Sequence, residues 1–416
     1  MRLIQEFRDR VPALLHRLKS EPESTFIRRG EVEALALFQE MAIRVPAYKD
    51  FLKKNSIHPE TIRDVTDLAH LPITNKENYL QSYPIEALCL DCSFANRQWM
   101  ISSTSGSTGE PFYFPRSPDQ DLQFRMTGEL CLRDFYGIDT TSTLLIDCYA
   151  LGVWIGGMFM FTAMKQILDS GQYAFSMITP GADKTETLKA IKRLAPQFGQ
   201  VILAGYGPLV KDLIDGGIVL GIDWSAYNMK YFFAAEGFTE KFRDYIGAKG
   251  GVKNILTSTI NHYGTADMGT MAHETPLSIL LRRIALEYPP LYTDLFIDAH
   301  RQPTVAQYIP ELYYFEAIEG RLLCSGRSGL PLMRYDLKDK GGVLSLASVV
   351  EKAQLHGVDM YGEARSHGID THTWNLPFVY LYERTDFTVG IYSVNVYPES
   401  IKKALQEKEL EDALSG

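Results

Sequence analysis

Cysteine is scarce in this 416-residue chain, which has five. So few, at scattered positions, make no disulfide framework. Cys89 and Cys92 form one C-x-x-C, but a zinc ribbon needs a second pair, and Cys131, Cys148 and Cys324 do not supply it. Free thiols in a reducing cytoplasm are the expectation. Positive charge is also short. The net charge is −9 with no basic tract, which argues against a nucleic-acid partner. Long apolar runs are missing, with one exception. The stretch CYALGVWIGGMFMFTAM (148–164) carries no charge, and Gly152 and Gly156 form a G-x-x-x-G. It sits near the lower length limit for a bilayer span and is closely bounded by Asp147 and Lys165. A glycine-rich segment packed on a buried sheet is expected instead. The amphipathic, charged N-terminus has neither the continuous apolar core nor the cleavage site of a secretory signal. Internal repeats and low-complexity blocks are absent, and so are the two commonest phosphate fingerprints, G-K-[ST] and G-x-G-x-x-G.

What is present is an ordinary globular composition, 45% hydrophobic and 22% charged. The length suits a large domain with a smaller appendage. Residues 31–45 have helical apolar spacing and stop before Pro46. The runs TLLIDCYA (143–150), QVILAGY (200–206) and MKYFFAAEG (229–237) read as buried strands, and 183–194 as a helix with Leu188, Ile191 and Leu194 on one face. Strands alternating with helices predict an α/β fold of layered sheets. From about 291 to 386 turn residues and short strands dominate, which predicts a small β-rich subdomain. The last segment, begun by Pro398, reads as a helix.

One loop poses a chemical question. SSTSGSTGEP (102–111) packs hydroxyls and glycines together. It reads either as a solvated linker or as a phosphate cradle, in which Gly106 and Gly109 let backbone N–H groups converge while Ser105, Ser107 and Thr108 add donors. Four aromatics, Tyr149, Trp154, Tyr206 and Phe233, read either as core or as the lining of an aromatic-acid pocket.

Six segments in order bear on that choice: LPITNKENYLQSYPI (71–85), the loop itself, AAEG (234–237), HYGTADMG (262–269), LPLMRYDLKD (330–339) and ERTDFTVGIYSVNVYPESI (383–401). Together they resemble the adenylate-forming superfamily of acyl- and aryl-CoA synthetases, and within it the phenylacetate–CoA ligase-like branch. The resemblance covers the chain from about Tyr48 to its end.

The resemblance implies ATP-dependent activation of a carboxylic acid, an aryl acid being favoured, to an acyl-adenylate, with coenzyme A (CoA) as the expected acceptor. Ser105, Gly106, Ser107, Thr108 and Gly109 would hold the β- and γ-phosphates. The Ala235–Glu236–Gly237 backbone and Tyr263, followed by Gly264 and Thr265, would bracket the adenine. Asp339 would accept from both ribose hydroxyls, a task for a two-oxygen acceptor. Asp267 stands where the family has glutamate and would ligate Mg2+. Taken alone, Asp267 could cap a following helix and Asp339 could make a turn. Arg384 would reach ribose or phosphate, and Asp386 would mark the hinge. Thr108, Asp267 and Arg384 are therefore the candidate catalytic residues. By the same resemblance, 1–386 form the adenylation domain, and 387–416 the hinge and a stub of the C-terminal lid domain, most of which is lacking. A cytoplasmic homodimer acting on a small molecule is expected. Two positions depart from the pattern: Glu110 stands where lysine is frequent, and Thr275 replaces the cysteine of an A-x-E-C segment, which speaks against a structural zinc. Two alternatives keep the scaffold: a non-catalytic nucleotide- or carboxylate-binding protein, and an acyl-protein synthetase or amine ligase.

Overall fold

Apolar runs of five or six residues, too short for helices and flanked by turn formers, suit strands covered on both faces. Three such runs, TLLID, QVILAG and MKYFF, form parallel neighbours toward one edge of the main sheet. The computed structural model describes residues 2–7, 9–103, 112–153 and 155–382, with the backbone of 389–391 and 394–396. The phosphate-loop candidates 105–110, together with Trp154, Arg384, Asp386 and the expected C-terminal helix, lie outside the described residues.

Among the described residues, thirteen strands precede the C-terminal segment. They are β1 (Met100–Ser103), β2 (Tyr113–Arg116), β3 (Thr143–Asp147), β4 (Phe175–Ile178), β5 (Gln200–Gly205), β6 (Met229–Phe233), β7 (Thr259–Thr265), β8 (Gly269–His273), β9 (Thr304–Gln307), β10 (Tyr313–Ile318), β11 (Arg321–Gly326), β12 (Leu332–Leu344) and β13 (Phe378–Tyr382). β1 and β2 form a separate hairpin. The others make one eleven-stranded sheet in the order β10-β11-β12-β13-β9-β8-β7-β6-β5-β3-β4. Pairing from β4 to β7 is parallel and from β7 to β10 antiparallel. The β-rich stretch after 291 is therefore continuous with the parallel half, joined to it through β7 and β8, and it also carries helices such as Leu346–Leu355.

Each parallel crossover is helical, as that topology demands. The helices Lys184–Leu194, Gly207–Val219 and Glu240–Lys249 bury one face of the parallel half through Leu188, Ile191, Val210, Leu213, Phe242 and Ile246. Helices Pro118–Asp134 and Ile155–Asp169 cover the other through Phe124, Met126, Phe159 and Met160. Side chains alternate across a strand, so Leu144, Ile146 and Cys148 face the first layer while Leu145 and Tyr149 face the second.

The uncharged run 148–164 divides between an irregular segment and the helix Ile155–Asp169. Among the described residues, no helix is long and apolar enough to cross a membrane. The helix expected over 31–45 is the second half of a longer one, Glu23–Arg44. The 183–194 segment is the helix Lys184–Leu194, and Asp183 caps it by accepting from the Glu186 amide.

Charged groups also lie deep. Arg243, with no exposed surface, donates to both carboxylate oxygens of Glu274 (2.7 and 2.8 Å) and of Glu240 (both 3.1 Å), and to Thr259 Oγ1 (2.9 Å). Arg282 adds a second cation to Glu240. Burial alone would raise the Glu240 carboxyl, but Arg243, Arg282 and Arg283 together hold it down to about 2. Thr275, at the position of the expected cysteine, begins the helix Pro276–Glu287 by accepting from the Ser278 amide.

Two histidines form another buried pair. His262 on β7 and His273 on β8 are register partners with ring centroids 5.7 Å apart. Among the described residues, none of their four ring nitrogens has a hydrogen-bond partner. Burial depresses both, His273 to about 4 and His262 well below the ordinary value. The unfolded chain takes up a proton near pH 6.5 and the folded chain does not. Stability is therefore full above pH 6.5 and falls as the pH drops toward 4. The loss is about 1.4 kcal/mol per pH unit for each histidine. His273→Phe should flatten this fall in urea midpoints measured between pH 7 and 4.5. Equal slopes in the two proteins would refute it.

Candidate functional site

The segments singled out in the sequence meet through hydrogen bonds. Tyr263 on β7 donates from its hydroxyl to Asp339 Oδ2 on β12 at 2.6 Å, across 76 residues of sequence. Asn261, two residues before Tyr263, donates through Nδ2 to the Glu236 carbonyl (3.1 Å), which ties AAEG to β7. Thr74 of LPITNK is bridged to β12: its amide donates to the Arg334 carbonyl (3.1 Å), and its carbonyl accepts from the Asp336 amide (2.8 Å). Four of the six segments thus lie around one stretch of β12.

Of the fifth, the described flanks are anchored beside them. In the β1–β2 hairpin Ser103 pairs with Tyr113, the two residues nearest the ends of the hydroxyl–glycine stretch. The Ser103 amide donates to the Val153 carbonyl at 2.9 Å, so this hairpin touches the segment leaving β3. At its other end, Gly329 in the β11–β12 turn packs so close to the Pro115 carbonyl that a Cβ there would sit 1.8 Å from it. The sixth segment lies outside the described residues, except for the short hairpin pairing Val389–Ile391 with Val394–Val396.

Three of the seven left-handed non-glycine residues among the described ones lie at the same place. Ala235 (φ 83°), Arg334 (φ 46°) and Lys338 (φ 63°) are left-handed without being glycine. Each such residue costs about 1–3 kcal/mol and persists where the surroundings over-determine it, often at a functional site. Lys338 immediately precedes Asp339, and Ala235 lies within AAEG. Arg334 is locked by Glu316 (3.1 Å) and by the carbonyls of Ala69 (2.8 Å) and Leu71.

The aspartates differ in setting. Asp339 is 6% exposed and lies within a thirteen-residue strand. In place of a chain-reversing turn at KDKGG, β12 bulges against β11 between Asp336 and Lys340. Asp267 is half-buried in the β7–β8 connection, where the Met268 amide donates to Thr265 Oγ1 (3.2 Å). A hairpin connection stands where a helix cap was the alternative. Gly264 is exposed and Thr265 half-buried, on the side of β7 that leads to Asp267. The Tyr263 ring stacks on Phe315 at 6.4 Å and is 8% exposed, which leaves a ligand little more than its edge.

The proposed aromatic lining does not form one wall. Tyr149 belongs to the helix-covered face that holds Phe124 and Phe159, and its hydroxyl donates to the Gly205 (3.1 Å) and Phe232 (3.2 Å) carbonyls. Phe233 lies in the opposite core with Phe238 and Phe242. Phe232, its neighbour in sequence, is the residue facing Tyr149's side. Tyr206 is 42% exposed at the start of the helix Gly207–Val219. An apolar run buried on both faces carries no periodicity to reveal which ring points where.

No protein-family model matches the chain, and no curated protein matches its sequence. Solved structures do match its fold. A 2-hydroxyisobutyryl-CoA ligase, in an open conformation with 2-HIB-AMP and CoA, aligns over 96% of this chain and 83% of its own, with 14% identity and a TM-score of 0.63. The same enzyme in the postadenylation state with R3-HIB-AMP aligns over 94% and 74%, with 14% identity and a TM-score of 0.65. The acyl acid amido synthetase AtGH3.15, in complex with 2,4-DB, aligns over 96% and 74%, with 12% identity and a TM-score of 0.52. The chain has the fold of the adenylate-forming ligases.

Proposed function

We propose that this protein activates a carboxylic acid with ATP to form an acyl-adenylate and passes the acyl group to CoA. The observation that carries the reading is the contact between Tyr263 and Asp339, which joins two distant segments at a buried carboxylate next to the left-handed Lys338. A carboxylate is a poor electrophile because its leaving group would be oxide, and adenylation replaces that group with AMP. The protein's share of the work is to hold two anions together and to answer the charge that develops between them.

In this reading Asp339 accepts from the ribose hydroxyls, and Ala235, Glu236 and Gly237 line the adenine with Tyr263 at its edge. Ser105, Gly106, Ser107, Thr108 and Gly109 hold the phosphates, a role that the bond from Ser103 to the segment leaving β3 supports. Asp267 offers the hard oxygen that Mg2+ prefers, and one or two carboxylates beside phosphate oxygens are its usual protein ligands. Arg384 supplies a fixed cation, and Asp386 the hinge between an adenylation domain (1–386) and residues 387–416. Tyr149 is kept as a pocket residue with Trp154. A cytoplasmic setting, an aryl acid and a homodimer belong to the same reading. The likeness to an amido synthetase makes amines the acceptors to test against CoA.

Acid-dependent exchange of labelled pyrophosphate into ATP, run across aryl and aliphatic acids, tests the first half. Exchange with at least one acid is expected. Its absence throughout, in protein that nevertheless binds AMP by calorimetry, would favour a non-catalytic binding protein.

A further inference from the structure

On the face of the parallel half covered by the helices Pro118–Asp134 and Ile155–Asp169, the strand β3 carries a carboxyl group that the proposed activation chemistry leaves unused. Asp147 ends β3 and has no exposed surface. Its Oδ1 accepts from the Tyr149 amide at 3.1 Å, and among the described residues its Oδ2 has no partner. A buried carboxylate oxygen without a donor costs several kcal/mol in most settings, so its retention needs a reason.

Its position suggests one. In open α/β sheets, ligands bind beyond the carboxyl ends of the parallel strands, and Asp147 is the last residue of such a strand. By alternation it shares a face with Leu145 and Tyr149, and its register partner on β5 is the small Ala204. The chain then runs directly into 148–153, where Leu151 and Val153 are exposed and the Val153 carbonyl is tied to the β1–β2 hairpin. A carboxyl group thus stands where the chain leaves the sheet for the segment tied to that hairpin.

We infer that Asp147 determines which acid is accepted: its unpartnered oxygen takes a hydrogen bond from a hydroxyl or amino group on the acyl portion of the substrate. The inference rests on the reading that the site activates carboxylic acids, and it names the class of acid. Burial raises the Asp147 carboxyl to about 7. Near neutrality the group is therefore partly ionised, and the ionised form is the acceptor that the inference uses.

Pyrophosphate exchange with matched acids tests it: benzoate against the hydroxybenzoates and aminobenzoates, and propionate against lactate. At least one donor-bearing acid should exceed its plain partner in kcat/KM by roughly tenfold. That is a modest demand, since sites built to hydrogen-bond a substrate hydroxyl can reject the analogue lacking it by about 10⁴-fold. Asp147→Asn keeps the shape but turns the acceptor into an amide donor, and should bring the ratio to within about threefold of unity. Asp147→Ala should do the same, with folding checked by thermal melt. A wild-type preference for the plain acids, or a ratio that survives both substitutions, overturns the assignment of Asp147 alone. If no acid supports exchange, the underlying reading falls and this inference falls with it.

Discussion

Arg243→Met should destabilise the protein by about 3–5 kcal/mol, because removing one member of a buried ionic network strands its partners in a medium of low polarity. Arg243 is wholly buried and holds two carboxylates at once, Glu274 and Glu240, with its guanidinium over the Phe238 ring at 4.9 Å. Without it, Glu274 keeps only the Asn261 amide at 3.0 Å and a distant Arg282 nitrogen at 3.6 Å among the described residues. Methionine fills much of the arginine stem's volume, so the expected loss is electrostatic and not a cavity effect. Arg243→Lys restores charge but not the planar fork that serves two acids, and should recover only part of the stability. Urea unfolding measures both. A loss below about 1 kcal/mol for Arg243→Met would show that the carboxylates find other partners or take up protons. The damage should also reach the candidate site, because Glu274 fixes the Asn261 amide and Asn261 in turn holds the Glu236 carbonyl. Weaker AMP binding in the variants that remain folded is the companion expectation.

That network was invisible in the sequence. Glu240, Arg243, Glu274 and Arg282 are residue types found mostly on surfaces, and two of the ion pairs span more than thirty positions. Nothing local distinguishes them from solvated charges. The strands of the parallel half were legible for the opposite reason, since TLLID, QVILAG and MKYFF are largely apolar over lengths that only a strand uses. The same evenness hid the facing of Phe232 and Phe233. β12 was half legible. Its apolar start LMRYDL reads as a strand, whereas KDKGG reads as a turn, yet Lys340 to Leu344 pair in register with Tyr382 to Phe378. Gly341 lies so close to the Tyr380 carbonyl that a Cβ would sit 2.0 Å from it. Glycine there reflects close packing against β13, a tertiary cause that turn chemistry mimics. The site was legible as an order of motifs. That Tyr263 meets Asp339, and that Thr74 pairs with β12, is a matter of sheet order and register, which single segments do not encode.

Asp339→Asn should lower pyrophosphate exchange by about ten- to a hundredfold while leaving the fold intact. Asparagine has nearly the same shape, and its carbonyl oxygen can still accept from the Tyr263 hydroxyl, so the 2.6 Å contact between β7 and β12 survives. What disappears is the charge and one acceptor. A hydrogen bond to a charged group is worth about 1.5–3 kcal/mol, and about 1.4 kcal/mol is tenfold in rate. Because the ribose is gripped in ground and transition states alike, most of the loss should appear in KM for ATP and in AMP affinity, with kcat changed less. A chemical cycle separates this role from a structural one. If Asp339 accepts from the ribose hydroxyls, 2′,3′-dideoxy-ATP should already lack that contact in the wild-type protein. Asp339→Asn should then cost little further with that nucleotide. An equal penalty with ATP and with the dideoxy analogue would mean that the carboxylate acts only through Tyr263 and the strand it secures. The nucleotide would then have to be assigned elsewhere on the sheet.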